Sequence, residues 1–321
     1  MSRINVGLAR RENHRQNVFG ALDLIRDDVV PKLAEQVMLK PNFLSSKNQL
    51  ASSHPDAMRG AIDFLLTTPN PPDEILIAEG GNEDIPGEAF DNFGYHALKE
   101  EYDVPIRLID LNAETRWETV PIFLDDRTEY QVHMPKTVLD CPCTISMAVA
   151  KTHDVTVVTL ALKNMIMGTI RKEDRVKMHG FPSHPERLRP NESKRLNVNL
   201  IRLAKYLAPD IGVIDGTVGL QGNGPGGTDS VDLGVAAASV DVFAVDAVMT
   251  SVMGFEPAKQ GLLYYANQLG IGVTDLNNIN ILETTIEDVA RAFKPHKWIE
   301  EQRQWHEPNA MADIFASTTH G

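Results

Sequence analysis

Lys151, His153, Asp154 and Lys163 crowd one largely apolar stretch, KTHDVTVVTLALKNMIMG at residues 151–168. Imidazole is the side chain best suited to exchange protons near neutral pH. A lysine two residues away lowers its pKa and can hold a carboxylate or phosphate. Asp154 or a backbone carbonyl could fix its tautomer. The plainer alternative is a polar loop entering a helix, with Asp154 as the cap. Lys163 interrupts apolar residues whether the run is a strand, as TVV suggests, or a helix, as TLALKNM suggests. A buried lysine must be paired or lose its charge. It then serves as an anion anchor, a base or a Schiff-base nucleophile. A lysine snorkelling outward on a packed stem is the bland reading. Asn164, directly after it, could orient a substrate.

Other motifs offer the same kind of chemistry. In KPN (40–42), Pro41 holds Lys40 extended and ends a strand, so Lys40 and Asn42 project from a sheet edge. The loop at 172–191 is rich in His, Pro, Lys and Arg and suits a mobile basic lid over an anion, contributing His179. A divalent metal held by His153, His179 and His184 is a weaker option, because H-x-x-x-x-H is not a standard ligand spacing. Asp215 closes a strand and is a candidate catalytic carboxylate. Gly222, Asn223 and Gly224, in GNGPGG (222–227), could bring backbone close to a ligand. The segment is neither a P-loop nor a G-x-G-x-x-G turn, so no nucleotide is implied. Asp246 interrupts an apolar helix and could pair with a site lysine.

Elements must position these groups. Strands are expected over 4–9, 36–40, 74–79, 106–111, 144–149, 210–215 and 233–239. Helices are expected over 17–30, 55–65, 89–98, 196–207, 242–253 (capped by Asp241), 259–269 and 286–293. Residues 113–134 read as a small antiparallel insertion or a domain crossover. Strands alternating with helices predict an α/β fold, a largely parallel sheet with helices on both faces. The reading adds two lobes with the site between them: 1–115, then 116–293, then a polar tail over 294–321. KPN, EGGN (79–82), KTHD and DG (215–216) all fall at predicted strand ends, where such folds bind ligands.

Bulk composition bounds the function. The chain has 321 residues, 42% of them hydrophobic, and a net charge of −13, so neither nucleic acid nor an anionic membrane is an expected partner. Cys141 and Cys143 form C-x-C, which is neither a disulfide framework nor a cluster motif. With no secretory signal and no apolar span, a cytoplasmic location is expected. The oligomeric state is left open.

Taken together, the motifs resemble the DUF362 family. The resemblance rests on KPN (40–42), SHP (53–55), EG (79–80), KTHD (151–154), TLALKNMIMG (159–168), DG (215–216), GNGPGG (222–227) and SVDVFAVDAV (239–248), in collinear order. Many members carry a ferredoxin-like module with closely spaced cysteines. This chain has none, so no iron–sulfur cluster is expected. The family is also distantly similar to the lactate racemase group, two-lobed α/β proteins with a lysine and histidines around a hydroxy acid. That analogy implies site roles for Lys163 and His153.

The expected function is proton transfer on a small carboxylate- or phosphate-bearing metabolite, by an isomerase, racemase or lyase. His153 would be the acid/base, Lys163 the anchor or second base, and Lys40 with Lys151 an electrostatic cradle. A carrier that binds a metabolite or cofactor without chemistry is the alternative.

Overall fold

A computed structural model describes residues 3–81 and 86–316, so Asn82 of EGGN lies outside the described residues. The strands are β1 (Ile4–Arg10), β2 (Gln36–Lys40), β3 (Glu74–Glu79), β4 (Ile106–Asp110), β5 (Trp117–Phe123), β6 (Glu129–Pro135), β7 (Thr144–Thr152), β8 (Val158–Thr159), β9 (Ile211–Gln221), β10 (Asp229–Ser239) and β11 (Ile279–Glu283). Nine of them form one sheet in the order β11-β1-β10-β9-β7-β2-β3-β4, with β8 folded back on β7. The run β9-β7-β2-β3-β4 is parallel throughout, as is β1-β11, whereas β10 is antiparallel to both neighbours. β5 and β6 pair as a separate hairpin, the antiparallel insertion expected from alternation there.

The central strands read as near-continuous apolar runs because both their faces are covered. Val37 and Leu39 of β2 and Ile145 and Met147 of β7 pack beneath the helices His14–Asp23 and Pro55–Leu66. Met38, Ala148 and Ala150 face the opposite layer, built by the helices Ala161–Thr169, Asn191–Leu207, Val242–Val252 and Gly261–Leu269. The fold is therefore mixed α/β with a mostly parallel sheet. Strands on either side of residue 115 share that sheet, since β1 lies between β10 and β11. Among the described residues, no helix is long and apolar enough to cross a membrane.

Because β7, β2 and β3 are parallel neighbours, their carboxyl ends meet at one edge. That brings together Lys40, Glu79 and the Lys151–Asp154 segment from distant parts of the sequence.

Some elements differ from expectation. β9 does not stop at Asp215 but runs on through 216–221, because β10 pairs with it along that whole length. The 17–30 helix is two pieces, His14–Asp23 and Arg26–Val29. The segment after Lys294 is ordered as far as it is described, and Asp313 is fully buried in it. Asp241 does cap its helix, accepting the Phe243 and Ala244 N–H groups.

Candidate functional site

A cavity of about 220 Å³ opens at this strand edge. Asn42, Lys151, His153, Lys163, Asn164, His179 and His184 all line it. It also takes Glu79, Asp154, Thr159, Arg175 and Arg187, with Phe43, Leu44, Met167 and Pro225 as its apolar surface.

Lys163 is delivered by the first turn of the Ala161–Thr169 helix. That turn is fixed from an adjacent helix: Asp246 accepts the N–H groups of Ala161 (2.8 Å) and Leu162 (3.2 Å). Asp246 thus caps the site helix, and the pairing with a lysine expected for it does not form. Burial pushes this carboxyl up to about 7 despite both N–H donors.

His153 and Lys163 meet, with Nε2 2.9 Å from Nζ. The N–H groups of Val155 (3.0 Å) and Thr156 (3.3 Å) both point at Nδ1. Nδ1 is therefore an acceptor, and the proton of the neutral ring sits on Nε2. Asp154 Oδ1 also lies 3.2 Å from Nδ1. Its charge is turned outward to Arg187 and Arg189, each 3.4 Å from Oδ2. Burial, reinforced by the Lys163 charge, holds His153 well below its usual range. Burial also brings Lys163 down to about 8, against the pull of Asp154. An Nε2–H facing an Nζ at this distance is a hydrogen bond when the amine is neutral and offers its lone pair.

The other lysines are bound differently. Lys40 is fully buried behind the cavity wall. Its Nζ donates to Glu79 Oε2 (2.6 Å), Asn164 Oδ1 (2.8 Å) and Pro41 O (2.7 Å), the three-acceptor pattern of an ammonium. It is a buried strut of the site. Gly168 leaves room for it, since a Cβ there would lie 2.1 Å from Lys40 Nζ. Lys151 donates to Asn42 Oδ1 and to Ala51 O (2.7 Å). Burial, then the charges of Lys163 and Lys40, lower it well below the usual lysine value. Asn42 donates in turn to Asn164 Oδ1 (2.9 Å), so Lys151, Asn42, Asn164, Lys40 and Glu79 form one network. Among the buried side-chain atoms that line the cavity, Thr159 Oγ1 lacks a hydrogen-bond partner, and His179 Nδ1 lies 3.5 Å from Glu192 Oε2. Burial brings His179 down to about 4.

Several expected residues fall elsewhere. Asp215 lies within β9, in the layer that contains Val213, and its Oδ2 is 2.6 Å from His14 Nδ1. The His14 ring stacks on His54 at 4.3 Å. Asp215 therefore does not line the cavity, contrary to the catalytic role expected from a strand-end position. Gly222, Asn223 and Gly224 do not line it either. Asn223 accepts the Lys297 N–H, and Gly224 packs against the Thr152 backbone, where a Cβ would lie 2.0 Å from Thr152 O. The loop contributes Pro225 instead. The basic loop is pinned down: Arg187 and Arg189 reach the buried Glu192 at 2.5 and 3.0 Å. Among the described residues, no group of three or more His, Cys, Asp or Glu side chains is arranged to hold a metal ion, so His153, His179 and His184 do not assemble as one.

Sequence reasoning missed Glu79 as the partner of Lys40. An acid ending the apolar strand EILIAE was the available signal. Arg175 reaches the cavity from the basic loop expected to recognise an anion, and Thr159 lines it beside Lys163, with which it was expected to share a face.

Residues 37–251 match the family model described as a domain of unknown function, DUF362. The chain belongs to the DUF362 family. All residues lining the cavity fall inside the matched stretch of this DUF362 protein. A curated relative is the thylakoid-associated protein sll1697 of Synechocystis sp., 25% identical over 254 residues, covering 76% of this chain and 70% of the relative. Among solved structures, the lactate racemase apoprotein from Thermoanaerobacterium thermosaccharolyticum matches with a TM-score of 0.46 at 10% identity. The match covers 79% of this chain and 57% of that one, and the likeness is one of fold alone. Both cysteines of this DUF362 chain are free, and burial pushes the Cys143 thiol up to about 12.

Proposed function

We propose that the chain is an enzyme that moves a proton on a small carboxylate- or phosphate-bearing metabolite, in an isomerisation, racemisation or lyase step. One observation carries this reading: His153 Nε2 lies 2.9 Å from Lys163 Nζ at the wall of the cavity, beside Arg175 and Arg187. Arg175 and Arg187 line the same cavity; Arg187 is shared with Asp154, and Glu79 is taken up by Lys40 behind the wall. An anion entering there gains Coulomb attraction in a poorly solvated space. Burial brings the Lys163 amine down to about 8, which suits proton exchange near neutral pH, and holds the His153 ring neutral beside it.

The test is C–H exchange in D2O, followed by NMR over a panel of small hydroxy- and oxo-carboxylates and phosphate esters. Wild-type protein is expected to exchange at least one compound, and His153→Gln to slow it by about 100-fold or more. Binding without exchange, unchanged in His153→Gln, would make the protein a carrier and overturn the assignment.

A further inference from the structure

We infer that Lys163 is a nucleophile that captures a carbonyl group as an imine, so that the substrates of this cavity are small 2-oxo acids or other carbonyl compounds bearing an anionic group. This inference rests on the proposed proton-transfer reading and adds the covalent step to it.

The three buried lysines are separated by what their nitrogens touch. Lys40 spends all three N–H groups on Glu79, Asn164 and Pro41 and does not line the cavity. Lys151 lines it but donates to Asn42 Oδ1 and Ala51 O. Lys163 also lines it, and among the described residues its one hydrogen-bond partner is His153 Nε2. Since Nδ1 of that ring accepts two backbone N–H groups, Nε2 carries the hydrogen and Nζ offers its lone pair. An amine with a lone pair at a cavity wall is the requirement for carbonyl addition. Burial, which lowers the affinity of this nitrogen for a proton, acts in the same direction.

The cavity supplies the other parts. Arg175 and Arg187 are positive groups for the substrate's anionic end, and Met167 and Phe43 give an apolar surface for a short carbon chain. Thr159 Oγ1, buried and without a partner, is a donor or acceptor awaiting one.

The step balances without a co-reactant. The Nζ lone pair forms the N–C bond, and the carbonyl π pair moves to oxygen, where Nε2–H of His153 can hydrogen-bond to it. One proton passes from nitrogen to that oxygen. The hydroxyl then leaves with a second nitrogen proton as water, giving amine plus carbonyl to imine plus water. Protonated, the imine draws electrons from the adjacent carbon and acidifies its C–H, which links capture to proton transfer.

The experiment incubates the full chain with pyruvate and, separately, with glyoxylate, each with cyanoborohydride near pH 8.5. Peptide mass mapping then locates the reduced adduct. The expected result is one carboxyalkyl group per chain, on Lys163, absent from Lys163→Arg and not formed with acetate. Lys163→Arg keeps the charge, and cooperative melting of that variant checks that it is folded. No adduct with either oxo acid, or adducts spread over surface lysines equally in wild type and Lys163→Arg, would overturn the inference. Exchange of the pyruvate methyl protons with D2O is followed in parallel. Exchange without an adduct would overturn the imine while upholding the acid/base reading. An adduct without exchange would do the reverse.

Discussion

Lys40, Lys151 and Lys163 are all buried, yet the partner of each nitrogen gives it a different charge state to favour. Lys40 is surrounded by acceptors and sits against a carboxylate, so its ammonium is compensated. Lys163 faces a ring N–H, and protonating it turns the 2.9 Å contact into donor against donor. Its pKa is lowered from 10.5 to about 8, mainly by burial. Between those two values the unfolded chain holds a proton that the folded chain lacks, so stability rises with pH across that window. Below about pH 8 both states are protonated, and the fold carries the full penalty of the buried charge. Lys163→Met removes that penalty while keeping most of the volume. The variant is expected to be more stable than wild type at pH 7, by about 1–3 kcal/mol in urea unfolding, with the gap narrowing toward pH 10. Equal midpoints at pH 7, or a gap that widens as pH rises, would show that Lys163 is not held down by burial.

The helix Ala161–Thr169 carries both Lys163 and Asn164, and its first turn is fixed by Asp246 from the helix Val242–Val252. Asp246→Leu leaves two buried N–H groups without an acceptor and is expected to cost about 2 kcal/mol. It should also loosen the Lys163–His153 contact and so lower activity beyond the loss of stability. Asp246→Asn keeps an acceptor and separates charge from capping. The Asp246 carboxyl is raised from 3.8 to about 7 by burial, so between those values the folded state binds a proton that the unfolded state lacks. Its contribution is present below about pH 4 and is lost as pH rises through about 7. Wild type is therefore expected to gain stability relative to Asp246→Asn as pH falls from 7 to 4 in parallel urea titrations. A flat difference would mean that the carboxylate stays ionised in the fold. This cap also shows where the sequence was legible. QVMLK, EILIAE and TISMAV were readable as strands because strands buried on both faces are apolar throughout, and a lysine or acid at the end of such a run stands out. Parallel pairing then gathered those ends. Asp246 was visible as a misplaced charge, but its partner was not, because which N–H groups it meets depends on the packing of two helices distant in sequence. Asp215 was misplaced because the glycines Gly216 and Gly219 read as a loop, whereas pairing with β10 keeps them in a strand and turns the carboxylate toward His14.

At the scale of the whole molecule, the segment after β11 fastens the site from outside the sheet. Gln302 Nε2 donates to His153 O at 2.8 Å, and Ser193 Oγ donates to Gln302 O at 3.0 Å, so the backbone of the KTHD turn is tied to the Asn191–Leu207 helix through this segment. Trp305 donates to Lys259 O at 2.7 Å and packs against Tyr264 and Tyr265. The strongest anchor is Asp313, with no solvent exposure, which meets Arg195 and Arg127 at 2.6 Å each. Arg195 is itself 4% exposed, so removing the carboxylate strands a buried guanidinium whose remaining acids, Glu307 and Asp125, lie at 3.4 and 3.9 Å. Breaking a buried pair from one side costs far more than the pair contributes over an apolar replacement. Asp313→Ala is therefore expected to lower stability by about 3 kcal/mol in urea unfolding. Replacing both partners with apolar residues, Asp313→Leu with Arg195→Met, should recover a large part of that loss. Because the same segment holds His153 O, Asp313→Ala should also raise hydrogen exchange at Val155 and Thr156, the two N–H groups that fix the imidazole. A loss below about 1 kcal/mol, with exchange there unchanged, would show that the segment lies on the site without supporting it.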